Sequence, residues 1–154
     1  MKTRMMLVAL GLCFFGVLCF AADDPQMGTW KLNDSKSKIA AGSPKNNTVV
    51  YAADGDNVKV SVDGTDADGK ATHNEWTGKF DGKDYPVTGD PTQDARSYKK
   101  VNARTMALTV KKDGKVTTSG RIVVSPDGKS RTVTTTRTDD KGKKSKSTAV
   151  YDKS

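Results

Sequence analysis

From residue 28 onward the chain alternates. Val58, Val60 and Val62 are separated by Lys59 and Ser61, and Met106, Leu108 and Val110 by Ala107 and Thr109, while Thr132 to Thr138 is rich in β-branched residues. A period of two sends successive side chains to opposite faces of an extended segment, the pattern of a half-buried β-strand. β-Branched residues fit that pleated surface. No comparable stretch of this region carries apolar residues at helical spacing.

Between the alternating segments stands a repeated phrase. Asp-Gly occurs six times between Tyr51 and Gly128, four of them as Asp-Gly-Lys at 68–70, 81–83, 113–115 and 127–129. Asp-Gly is favoured in type I′ hairpin turns, whose two central residues need positive φ. The repeat therefore reads as punctuation between strands. Cutting the chain at its turns gives strands near 28–33, 47–53, 57–63, 70–80, 84–88, 95–102, 105–111, 115–125, 129–138 and 145–152. Nearly every link is tight, so neighbours in sequence should be neighbours in space. An open meander would expose two long edges, and pairing the first strand with the last removes both. The expected fold is all-β: a single up-and-down antiparallel β-barrel of about ten strands.

The opening residues are of another kind. Lys2 and Arg4 precede an apolar run from Met5 to Phe20, and Cys19-Phe20-Ala21 ends it with small residues at the two positions a signal peptidase reads. Residues 1–21 thus read as a secretory signal peptide and 22–154 as one domain, in a secreted or periplasmic protein. The apolar run is shorter than the ~20 residues of a membrane-spanning helix. Removing the leader takes away Cys13 and Cys19, so the mature chain has no disulfide, thiol nucleophile or thiolate metal site. The formal charge of +8 loses two cations and becomes about +6.

Few residues suggest chemistry. His73 and Glu75 are the only histidine and the only glutamate. They share a strand face at i and i+2, where an exposed cross-strand pair accounts for them without a general base. Gly64 to Glu75 approaches a calcium-loop spacing with Asp66 and Asp68, but it lacks the first acidic ligand and any flanking helix. A hairpin turn explains it, and neither a metal nor a cofactor is expected. The basic residues are spread as Lys99-Lys100, Lys111-Lys112 and the segment from Arg137 to Ser147. Without a stacking platform or a recognised binding motif they indicate a solvated face, with at most weak attraction to anionic surfaces and no nucleic-acid partner.

The mature chain begins MGTWKLN at 27–33 and closes TAVYDK at 148–153, with DGKVTTSGR at 113–121 followed by DGKSRTVT at 127–134. In these features it resembles the calycin group of barrels: the lipocalins through G-x-W, the intracellular fatty-acid-binding proteins through GTWKL and the closing V-Y string, and small secreted bacterial lipocalin-like proteins. The resemblance implies a barrel closed at one end by Trp30. It also implies a fatty carboxylate held by two arginines and a tyrosine, for which Arg121 and Tyr151 stand at matching positions. Ala149 occupies the place of the second arginine, and Asp34 to Asn47 is too short and too broken by Gly42 and Pro44 for the family's two-helix lid. Alternation sets Arg121 opposite Val116, Ile122 and Val124; a bulge at Gly120 would turn it inward, and without one it is a surface residue.

These readings converge on a monomeric, non-enzymatic barrel binding a small apolar or amphipathic molecule inside through Trp76, Phe80, Tyr98, Arg121 and Tyr151. The alternative is an envelope protein with a filled core that acts through its basic exterior.

Overall fold

A computed structural model describes residues 24–154, and the leader read at 1–21 lies outside them. Ten strands follow in chain order: β1 (Gly28–Leu32), β2 (Lys45–Asp54), β3 (Asn57–Thr65), β4 (Ala71–Gly78), β5 (Tyr85–Thr88), β6 (Ala95–Asn102), β7 (Thr105–Lys112), β8 (Lys115–Val124), β9 (Ser130–Thr138) and β10 (Lys144–Lys153). Each pairs antiparallel with its neighbours in sequence, and β1 also pairs with β10, closing the barrel. Trp30 faces Lys153 and Leu32 faces Tyr151 across that seam. Among the described residues the one helical element is a single 3-10 turn, Asp34–Lys36, capped by the Asn33 side chain accepting from the Lys36 amide.

The Asp-Gly steps do not all do the same thing. Only Asp113-Gly114 is a type I′ turn, with φ of 50° and 75° between the paired Lys112 and Lys115. At 81 and 127 the aspartate acts instead through its carboxylate: Asp81 Oδ1 accepts from the Lys83 amide at 2.9 Å, and Asp127 Oδ1 from the Lys129 amide at 3.0 Å. Asp63-Gly64 is no turn at all but lies inside β3. There a Cβ at Gly64 would run into the Lys45 carbonyl oxygen, beside a register shift between Asn46 and Thr48 on β2. This glycine serves close strand approach.

Inward residues follow the alternation. Val60 and Val62 on β3, Asn74 and Trp76 on β4, Arg96 and Tyr98 on β6, and Ile122 and Val124 on β8 are all buried. On β8 the pairing jumps from Val110–Thr118 to Lys111–Val116, which leaves Thr117 as an extra residue. The bulge therefore sits at Thr117 and not at Gly120. Its effect is to turn Val116 outward, 52% exposed, while Arg121 keeps its outward facing opposite Ile122.

The core is concentrated toward one end. Trp30 is fully buried there and donates its indole N–H to the Gln26 carbonyl at 2.8 Å. Trp76, also buried, donates to the Arg96 carbonyl at 2.8 Å and packs edge-on against Tyr98 at 4.8 Å and Tyr85 at 5.6 Å. Large aromatic rings with their polar tips satisfied fill this half of a barrel that is poor in large aliphatics.

Candidate functional site

The other half of the interior is open. A cavity of about 420 Å³ runs from a mouth between residues 39–44, 66–68 and 90–93 down to Tyr51, Tyr98, Tyr151 and Arg131. Its size falls in the range of small-molecule sites. Val62, Leu108, Ile122 and Val133 supply apolar wall, and Thr72, Thr118, Thr135 and Ser147 supply hydroxyls. At the mouth Asp66 Oδ1 is engaged by the amides of Asp68 and Lys70, both at 2.9 Å, so its carboxylate closes a turn.

Two buried arginines face this space and are treated differently. Arg96 is held by neutral acceptors: Nη2 donates to Asn74 Oδ1 at 2.9 Å and to Gln93 Oε1 at 2.7 Å, and Nε donates to Gln93 Oε1 at 3.2 Å. Gln93 in turn donates to Asp90 Oδ2. Burial alone would raise the Asp90 pKa, but hydrogen bonds from Gln93 and Thr92 outweigh it and hold the carboxyl below its ordinary value. Arg131 has no such shell. It is 2% exposed, and its Nε and Nη1 have no hydrogen-bond partner. What surrounds it is aromatic: the guanidinium carbon lies 4.8 Å from the Trp30 ring centre, 4.9 Å from that of Tyr51 and 5.0 Å from that of Tyr151.

Tyr51 and Tyr151 stay neutral. Desolvation raises the Tyr151 pKa to about 12 in spite of Arg131 nearby, and burial followed by the neighbouring Tyr98 raises that of Tyr51 further. Tyr151 donates its hydroxyl to the Asn46 carbonyl at 3.0 Å. Among the described residues neither interior arginine is in an ion pair.

Of the residues expected to form a site, the structure brings Tyr98 and Tyr151 to the cavity. Trp76 and Phe80 stack with ring centres 6.4 Å apart as part of the packed half and do not line the cavity. Arg121 points outward from β8, away from the interior. Trp30 is fully buried, with the cations of Arg131 and Lys153 over its ring. The residues missed were Arg131 and Arg96. Arg131 shares its β9 phase with Val133 and pairs in register with Tyr151, so facing, and not its place in a motif, was the signal. His73 lies on the outer surface, its Nδ1 2.7 Å from Asp63 Oδ1 and its Nε2 3.6 Å from Glu75.

No known protein family matches the chain, and no curated protein matches it. Among solved structures it is similar to lobster apocrustacyanin A1, with a TM-score of 0.44 and 12% identity over 86% of this chain and 63% of that one. The fold itself is a closed antiparallel barrel. The chain spans less than two thirds of that structure's length. The barrel has ten strands, against the eight of the up-and-down lipocalins.

Proposed function

We propose that the protein is an exported, monomeric, non-catalytic carrier that takes one small amphipathic molecule through the mouth into its barrel. The cavity carries this reading: an open space of about 420 Å³ whose walls mix apolar and hydroxyl surface above three tyrosines. Desolvation and shape would supply the affinity. The same space speaks against the filled core required by an envelope protein acting through its exterior. The sequence's only histidine is on the outer face, and among the described residues no histidine or cysteine lines the cavity. The leader at 1–21 supports export.

Native mass spectrometry, followed by titration with an anthroyloxy-labelled fatty acid at low and high salt, tests the proposal. Saturable one-to-one uptake that survives high salt is expected of an interior site. Uptake that collapses with salt would place binding on the basic surface, and the carrier reading would fall.

A further inference from the structure

The cavity floor holds more hydrogen-bond donors than acceptors. Arg131 presents five N–H groups, and Nε and Nη1 meet no acceptor although the side chain is 2% exposed. Three ring faces surround the guanidinium and balance some of its charge, and the Tyr51 hydroxyl interacts with it as well, yet Nε and Nη1 remain without an acceptor. The Tyr151 oxygen is turned to the Asn46 carbonyl. The Tyr98 oxygen already accepts from Arg96 Nη1 at 3.4 Å, leaving its own proton unassigned. A buried cation without its hydrogen bonds is costly, and an apolar residue of similar length would fill the same gap among the rings at lower cost. If Arg131 served packing alone, an arginine would be the wrong side chain. Water could occupy the N–H groups but would leave the charge uncompensated. An anion answers both needs.

Resting on the carrier reading above, we infer that the ligand is a small organic anion whose charged group, a carboxylate, sulfonate or phosphate, is seated on Arg131 at the cavity floor with its body toward the mouth. Arg96 sets the comparison within the same molecule. Its donors are taken up by Asn74 and Gln93, so it needs no ligand to complete it. Arg131 does. The floor thus reads charge and the wall above it reads shape.

Two probes that differ only in charge separate this inference from the carrier reading itself. 1-Anilinonaphthalene-8-sulfonate and N-phenyl-1-naphthylamine share one ring body, and only the first carries a sulfonate. Calorimetric titration of the folded protein should show one-to-one binding of the sulfonate at least about tenfold tighter than the neutral compound, since a charge-assisted bond is formed. Arg131→Met should bring the two affinities together, whereas Arg121→Met on the outer face should leave their ratio unchanged. Equal affinities in the wild type, or a preference that survives Arg131→Met, would overturn the anion assignment while leaving an interior carrier intact. Binding of neither probe would remove the carrier reading as well. Should Arg131→Met fail to fold, the Nε–H resonance of Arg131 in the wild-type protein decides: it should shift with the sulfonate and not with the neutral probe, and an unmoved resonance contradicts the inference.

Discussion

Trp30 shows most directly how one residue holds this barrel. It is fully buried, its N–H is bonded to Gln26, and the cations of Arg131 and Lys153 lie over its ring. Trp30→Ala should lower the unfolding free energy by about 3–5 kcal/mol, read from the midpoint of urea denaturation; a loss within experimental error would mean the end of the barrel is not packed around this ring. His73 makes a gentler prediction. The hydrogen bond to Asp63, then its charge, raises the imidazole pKa above 6.5 in the folded state. Because the folded form binds the proton more tightly, the pair's stabilising effect is present below that value and is lost as pH climbs through the folded midpoint. NMR titration should place the His73 midpoint above 6.5, and Asp63→Asn should bring it down; an identical midpoint in the variant would show that the pair does not form in solution. At this scale the sequence was legible where a residue type has one reading, as with Trp30 in G-x-W. It was not legible for Arg131, because an arginine in a β-branched run is equally compatible with either face until the register of β9 against β10 is known.

The strands themselves were readable, all ten of them close to their observed limits, since alternation and turn residues are local signals. What escaped local reading was how neighbours meet. Gly64, taken as part of a turn, is where β3 crowds the backbone of β2, and Gly64→Ala should destabilise the fold by about 1–3 kcal/mol. Gly42→Ala is the control, because a Cβ there meets nothing within 4 Å, although its positive φ carries its own smaller strain. If both variants melt alike, the crowding at Lys45 is absent. The bulge at Thr117 likewise left no mark on the sequence, yet it decides the facing of Val116. Strand β5 is the weak seam, joined to β4 by the pairs Glu75–Thr88 and Trp76–Val87 and to β6 by Tyr85–Arg96 and Pro86–Ala95. Amides of β5 should exchange with deuterium faster than those of β2, β3 and β8, which lie in long ladders. Uniform protection around the barrel would contradict that ordering.

Closure of the whole molecule followed from edge avoidance and the short links, and β1 pairs with β10 as that reasoning requires. The cavity did not follow from the sequence, because its volume is what remains after ten strands have each chosen a face, and one bulge shifts the outcome. Apolar residues on the two sides of the wall provide the means to test where ligand binds: Val62, Leu108, Ile122 and Val133 line the interior, while Val101, Val116 and Val123 are exposed. Methyl spectra of selectively labelled protein, recorded with and without saturating 1-anilinonaphthalene-8-sulfonate, report both sets at once. An interior site moves the first set and leaves the second in place. Shifts confined to Val101, Val116 and Val123, with the inner methyls unmoved, would contradict ligand binding inside the barrel.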